Sequence, residues 1–444
     1  MATDLSDTSP LPQQPTVPQS TKTVSPRRAV LAGALGNLIE YYDFAVYGVL
    51  AVTLGPLFFP SNQPGVSILS TLAVFAVAFA MRPIGGYFFG RLGDRRGRRR
   101  ALVITVVGMG LASGAVGVLP THSAAGAFAP VLLVLARLIQ GFCAGGEVTG
   151  STIYIAESAP PRKRGFFLSF SAMAIIGSFS VSAAVVGVTA AAITPAQMAS
   201  WGWRIPFLIA LPLAAFCLWA RLRMGETHEF ETMVKRHEVE RNPFLRTLKE
   251  HPSALVRVFC IFLGNAGIGY IGQTYLSIYL IGTRGFDKNT VYWASAVAIA
   301  LACCTFPFTG MLVDRFGRKP TLIAGYGIFV ILAWPMFIVL SATSSWLVAG
   351  VIIFAYMVLY SVNDVAVLVV STELFPRRVR YTGMALGINL ATVVAGGTAP
   401  YGAQWLVHTT GDAKSPALWI IVTALISVIA SLTLRETSRD ELPV

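Results

Sequence analysis

Apolar residues in this chain gather into long runs rather than into alternating or short amphipathic segments. A helix crossing a hydrocarbon layer needs about 20 such residues in succession. Twelve runs of that kind can be read, at 29–57, 66–90, 99–119, 128–155, 165–192, 203–222, 254–281, 289–312, 320–341, 346–370, 381–408 and 416–434. Residues 1–26 are polar, rich in Pro, Ser and Thr, and lack the apolar centre of a signal peptide, so a disordered tail is expected there. The pattern predicts an all-α integral membrane protein with twelve transmembrane helices.

Composition and charge sharpen that picture. Hydrophobic residues make up 55% of the chain and charged residues only 12%, about half the charged share of an ordinary soluble chain. The net charge of +13 invites a nucleic-acid reading, but the basic residues sit in alternate loops between the runs. Arg91 to Arg100, Arg162 to Arg164, Arg221 to Lys249, Arg315 to Lys319 and Arg377 to Arg380 fall on one side; Arg284, Lys288 and Lys414 fall on the other. That bias predicts a multi-pass protein of the cell (inner) membrane with both termini cytoplasmic, its basic loops facing anionic lipid; no nucleic-acid partner is expected. Trp201, Trp203, Trp293, Trp346, Trp405 and Trp419 fall near the outer ends, as an interfacial belt would.

The loops hide a repeat. "GRLGDRRGRRR" (90–100) aligns with "GMLVDRFGRKP" (310–320), and "ESAPPRKR" (157–164) with "ELFPRRVR" (373–380). The chain therefore divides into a tail (1–26), a six-helix bundle (27–223), a charged linker (224–253), a second six-helix bundle (254–436) and a short tail (437–444). Parallel repeats of this kind place a site near the bilayer midplane, between the halves.

Five stretches in order, "GNLIEYYDFAVYG", "RPIGGYFFGRLGDRRGRR", "ARLIQGFCAGGE", "ESAPPRKRGF" and "WGWRIPF", resemble the metabolite:proton symporter family of the major facilitator superfamily. "GGEVTGSTIYIAE" and "NLATVVAGGTAP" bring the likeness nearest to its proline/betaine type. The resemblance implies the major facilitator fold, alternating access and symport of a small-molecule substrate with protons. One departure is visible: no heptad pattern follows Leu434, so osmotic regulation through a C-terminal coiled coil is not expected.

A buried carboxylate is costly in a bilayer, yet the first run holds Glu40 and Asp43. Asn37, Glu40, Phe44 and Tyr47 form one helical stripe with Asp43 on its flank, and Glu40 lies about 18 Å in from Arg28 at 1.5 Å per residue. In the fourth run Arg137, Gln140, Ala144, Glu147, Ser151 and Tyr154 share a face. Such faces look at a cavity or at other helices. Glu40, Asp43 and Glu147 are thus candidates for proton coupling, burial and mutual repulsion raising a carboxyl towards neutrality. Asn37, Tyr47, Arg82, Arg137, Gln140, Asn265, Gln273, Asp364 and Asn389 are candidates for substrate binding. The competing reading is structural: Glu40 or Asp43 paired with Arg82 or Arg137, and Arg204 as an interface anchor.

The loop motifs suggest gating. Asp94 and Asp314 can accept from N–H groups at a neighbouring helix start, while Arg95, Arg98, Arg315 and Arg318 reach acids such as Glu157 or Glu373. The resemblance implies that such bridges close the cytoplasmic side.

Several chemistries are excluded. The five cysteines lack ligand spacing or an even count, and the Cys303–Cys304 pair reads as small buried packing. No histidine is expected in a helix, His122 and His408 lying near outer loops and His228, His237 and His251 in the central loop; no phosphate-binding loop is present, and no nucleophile–base set is placed in the helices. No metal, no cofactor and no enzymatic activity are expected, and the unit is expected to be a monomer. Four acids (Glu40, Asp43, Glu147, Asp364) against two arginines (Arg82, Arg137) favour a zwitterion such as proline or betaine over an organic acid, with aromatic faces available for a quaternary ammonium. An organic-acid symporter, a proton-driven efflux antiporter and a non-transporting sensor stay open as alternatives.

Overall fold

The computed structural model describes residues 26–96, 98–222, 243–376, 379–438 and 442–443, and all regular structure among them is helical. The membrane-length helices of the first half are α1 (Pro26–Val49, continued by Ala51–Phe58), α2 (Pro64–Ala80 and Arg82–Arg96), α3 (Arg98–Val118), α4 (Phe128–Ala144 and Glu147–Ser158), α5 (Arg164–Ala192) and α6 (Arg204–Leu222). Those of the second are α7 (Pro252–Tyr270, extended through π turns to Thr283), α8 (Lys288–Cys303 and Phe306–Phe316), α9 (Arg318–Ala342), α10 (Trp346–Glu373), α11 (Arg380–Ala391, a π turn, then Ala399–Thr410) and α12 (Pro416–Leu432). Seven are long and apolar enough to span unaided, α1, α6 and α8 do so as bent pairs, and α3 and α12 contribute shorter apolar stretches.

Breaks in these helices have local causes. In α2 the ring of Pro83 cannot continue the hydrogen-bond ladder, so Met81 closes one segment and Arg82 opens the next. α1 bends by 63° at Leu50, and α8 by 41° just before Pro307. In α4, Gly145 and Gly146 separate the two segments, so the polar stripe expected along one continuous helix is interrupted before Glu147. The same glycines let α2 and α4 touch: a Cβ on Gly145 would lie 2.1 Å from the Arg82 carbonyl oxygen.

The halves repeat one packing scheme. α1 packs on α5 and α3 on α6; correspondingly, α7 packs on α11 and α9 on α12. Contact between the halves runs along α5–α8 and α2–α11. Polarity is inverted relative to a soluble fold, as lipid requires. Leu111, Phe128, Ile331 and Val351 are exposed, whereas Glu40, Asp43, Arg82, Arg137 and Asp364 are buried.

Three expectations need correction. Trp203 is fully buried, edge-on to Phe58 with ring centroids 5.5 Å apart, instead of lying in the outer belt. Only Cys303 of the vicinal pair is buried; Cys304 sits at the α8 break and is exposed. His408 lies inside α11, and His122 opens a short helix, His122–Ala125, against the expectation of no helical histidine. Arg204 caps Ser200 and Leu119 carbonyls and covers the Trp203 ring, an anchoring geometry.

The α5–α8 crossing depends on two glycines. A Cβ on Gly310 would meet the Gly165 carbonyl oxygen at 2.6 Å, and one on Gly165 would meet that of Gly310 at 2.6 Å. Both obstacles are backbone and cannot rotate away. Gly310→Val is therefore expected to destabilise the fold by about 1–3 kcal/mol and to increase labelling of a cysteine placed at the buried Ser169. Unchanged labelling would show that the crossing tolerates a side chain.

Candidate functional site

The midplane site is assembled from α1, α2, α4, α7 and α10. Asn37 donates to Ser171 Oγ at 2.9 Å on α5 and accepts from Ser151 Oγ at 3.2 Å on α4. Arg82, freed by the break in α2, lays its guanidinium over Phe44 at 4.4 Å and Phe79 at 4.5 Å. Glu40, Tyr41 and Tyr270 lie within its electrostatic reach. One turn along α1, Asp43 faces Arg137 at 3.7 Å, both buried. Arg137 also covers the Tyr47 ring at 4.2 Å and donates to Gln140 Oε1 at 2.9 Å, and Gln140 donates to Ser113 Oγ at 3.0 Å. Tyr47 donates to the Thr71 carbonyl. Glu40 and Asp43 together line a cavity of about 20 Å³ bounded by α1, α3 and α6, room for about one water molecule.

In the second half, Asp364 on α10 accepts from Asn265 Nδ2 at 2.9 Å and from the Tyr360 hydroxyl at 3.0 Å. Gln273 is buried in the π turn of α7. Tyr270, also on α7, crosses to the first half and packs against Phe79 at 5.1 Å, Phe75 at 6.0 Å and Phe179 at 6.4 Å. The aromatic cluster thus spans the seam between the halves. Asn389 stands apart from this group, donating to the Gly145 carbonyl at 3.2 Å.

A second constellation lies on the face that carries the loop motifs. Asp314 accepts from the N–H groups of Gly165 and Phe166, both at 2.9 Å, at the start of α5, where the helix dipole favours an anion. Arg164 meets Glu373 at 3.0 Å, and Arg380 meets Glu157 at 2.9 Å. Arg318 reaches Glu373 at 3.2 Å and Asp314 at 3.7 Å. Gly317, at φ +94°, makes the turn between α8 and α9 that a β-carbon would strain. Tyr381 adds a hydrogen bond to the Gly146 carbonyl at 2.6 Å. Arg315 is exposed beside Phe316 and is not drawn into these pairs. The side chains of Asp94, Arg95, Arg98 and Glu147 lie outside the described residues.

The major facilitator superfamily model matches residues 33–400. The glycine betaine/proline/ectoine/pipecolic acid transporter of Dickeya dadantii is 35% identical over 429 residues, 94% of this chain and 84% of the relative. The shikimate transporter of Escherichia coli is 34% identical over 420 residues, 93% of this chain and 95% of the relative. The chain belongs to the major facilitator superfamily. In fold it is similar to the xylose transporter of Escherichia coli in a partially occluded inward-open conformation, with a TM-score of 0.73 at 22% identity over 94% of this chain and 99% of that one. As a member of the superfamily it is a multi-pass membrane transporter and not an enzyme.

Several site residues of this superfamily member gave no signal in the sequence reading. Ser113, Ser171 and Tyr360 supply hydrogen bonds to the polar set, and Phe79 and Tyr270 supply the rings. Arg164 and Arg380 supply the cross-half ion pairs; the alignment of "ESAPPRKR" with "ELFPRRVR" already held that clue, since each ends in the arginine concerned. Glu436, after α12, accepts from the N–H groups of Arg318 and Lys319 at 3.0 Å each and so caps α9. Thr437 in the same segment donates to Glu373, and Arg380 donates to the Pro443 carbonyl.

Two predictions follow from these contacts. Replacing Arg137 by Met strands a buried Asp43 and is expected to cost about 3–5 kcal/mol in thermal unfolding. Adding Asp43→Asn should recover most of that loss; failure to recover would mean that packing, not charge, dominates. At Glu436 burial works to raise the carboxyl, but the N–H donors at the start of α9 outweigh it and hold it below the usual range. A depressed value stabilises the docked segment above the ordinary carboxylate pKa, and that stability is lost as pH falls through the depressed one. Amide exchange at Arg318 and Lys319, corrected for intrinsic rate, should be flat from about pH 7 to 5 and rise below about pH 4. Glu436→Ala should raise it at every pH, at a cost near 1 kcal/mol or less.

Proposed function

We propose that this transporter is a proton-coupled symporter that imports a small zwitterion, of the proline or betaine kind, by alternating access. The observation that carries the reading is the enclosed midplane set in which Glu40 and Arg82 on one half face Asp364 on the other across a seam of aromatic rings. Relatives named for glycine betaine, proline and ectoine support the substrate class, and the citrate-proton symporter of Klebsiella pneumoniae, 32% identical over 424 residues, supports coupling to protons. In this reading Glu40 carries the proton. It shares a water-sized cavity with Asp43, while Asp43 is engaged by Arg137 and is the poorer carrier. The bundles 27–223 and 254–436 are the moving bodies, joined by the linker 224–253. The motif face is the cytoplasmic face of the cell membrane, both termini lie there, and the working unit is a monomer. With Arg164, Glu373, Arg380 and Glu157 paired, that face is shut.

An organic-acid substrate is the second reading, favoured by the shikimate and citrate relatives. It asks for surplus positive charge at the midplane. Arg137 is already committed to Asp43 and Gln140, which leaves Arg82 alone against Glu40 and Asp364.

Uptake of labelled betaine, proline and 2-oxoglutarate into proteoliposomes, with and without an inward proton gradient, separates the readings. A zwitterion is expected to accumulate only with the gradient, and Glu40→Gln to keep substrate exchange while losing gradient-driven accumulation. Accumulation of 2-oxoglutarate alone would establish the second reading. Intact accumulation by Glu40→Gln would remove Glu40 from the coupling step.

A further inference from the structure

Opposite charges are left partly unanswered on the two sides of the aromatic seam. In the first half, Arg82 is buried, and its Nε and Nη2 donors have no hydrogen-bond partner. In the second, Asp364 is buried; its Oδ1 takes both hydrogen bonds, from Asn265 and Tyr360, while its Oδ2 takes none. Among the described residues, no Lys, Arg or His forms an ion pair with Asp364. Tyr41 and Tyr270 lie within electrostatic reach of both Arg82 and Asp364, so the two charges flank these rings. The Tyr270 hydroxyl is itself buried without a partner. Around it stand Phe79 and Phe179, the latter also 6.5 Å from the Tyr41 ring.

We propose that Asp364 is the subsite for the cationic nitrogen of the substrate, whose carboxylate is held by Arg82, so that one small zwitterion links the two halves across the seam. The proposal rests on the symporter reading above and specifies its substrate chemistry. Unused adjacent donors of a guanidinium match a carboxylate, which accepts from them in pairs. A buried carboxylate with a free oxygen and no basic neighbour is stabilised by a cation brought to it. Between the two, the faces of Tyr41, Phe79, Phe179 and Tyr270 suit an alkylated ammonium, which cannot donate hydrogen bonds but is attracted to rings. The same arrangement rejects a dicarboxylate, because its far end would meet Asp364 at like charge. Each end of the substrate touches a different half, so binding pulls the halves together only when both charges are present.

The test compares glycine betaine with 3,3-dimethylbutanoate, its isostere with carbon in place of the charged nitrogen. Each is used unlabelled to compete with labelled betaine exchange in proteoliposomes. The wild type is expected to prefer betaine by about tenfold or more, the worth of one charged contact. Asp364→Asn keeps an oxygen to accept from Asn265 and Tyr360, so it should elute as a monodisperse species; its preference should fall to about twofold or less. Asp364→Glu restores the charge and should restore the preference even at a raised KM. Wild-type preference in Asp364→Asn would overturn the proposal, as would a Glu variant that no longer separates the two compounds. So would an Asn variant that keeps its preference but loses gradient-driven accumulation, which would make Asp364 a proton carrier instead. If the wild type transports a dicarboxylate and no zwitterion, the zwitterion reading fails and this one with it; if it transports betaine and only the Asn result is contrary, this one fails alone.

Discussion

Two crossed ion pairs join the repeated loop motifs of the two halves of this transporter, and the proposed cycle depends on them. Glu157 and Arg164 belong to one copy of the repeated loop motif, Glu373 and Arg380 to the other. The pairs cross between the copies: Arg164 binds Glu373 at 3.0 Å and Arg380 binds Glu157 at 2.9 Å. A duplicated sequence has thus become a self-complementary junction, as an isologous interface does between subunits. The pairs tie α5 to α10 and α11 to α4; beside them Gly165 of α5 lies against Gly310 of α8, and Asp314 of α8 accepts from the first N–H groups of α5. Toward the midplane the same closure brings Tyr270 against Phe79 and encloses the buried charges.

Those charges obey a constraint that the gate does not. In the proposed cycle water reaches the gate when it opens, whereas groups at the midplane must be satisfied from within the protein. Arg137 meets it by charge on the first half, facing Asp43 at 3.7 Å, donating to Gln140 and covering the Tyr47 ring, although its Nε and Nη2 donate no hydrogen bond among the described residues. Arg82 and Asp364 also keep polar atoms without a hydrogen bond, and among the described residues no basic side chain forms an ion pair with Asp364. The division separates a scaffold charge from working charges. Arg137, paired with Asp43, holds α1 against α4, while in the proposed cycle Arg82 and Asp364 on opposite halves retain affinity for something that arrives and leaves.

Much of this was legible from the chain. Length and hydropathy of the runs give the helices because a bilayer imposes one length on every span, and two aligned loops give the halves because duplication leaves the motif twice. The polar positions of α1 stood out because a carboxylate in an apolar run has few neutral explanations. Pairing was less visible. Asp43 with Arg137, and Glu373 with Arg164, are chosen by how helices dock, and nothing local distinguishes these partners from Arg82 or Arg318. The rings were hidden for a different reason: Phe79 and Tyr270 sit in apolar runs where a lipid-facing aromatic would look the same. Trp203 shows the converse, since its place beside a predicted membrane boundary suggested an interface, and the bend of α1 instead lays Phe58 over it. The stripe along α4 assumes an unbroken helix, whereas Gly145 and Gly146 interrupt it between Ala144 and Glu147.

A latch built from ions, not from apolar surface, is suited to a cycle. Separating a greasy seam exposes surface in proportion to its area, and the cost is paid in full at every opening. Separating an ion pair at a water-facing rim returns both partners to hydration, so attraction lost and solvation regained nearly cancel. The side chains of Arg164 and Glu373 are only 4% and 2% exposed in the closed state, so their pairing there is strong in gross terms while its net contribution is small. Closed and open faces can then differ by little free energy, and a single contact elsewhere can decide between them. A substrate that engages Arg82 on one half and Asp364 on the other makes such a contact. Its binding need not overcome the latch, only tip a balance that the latch keeps close to even.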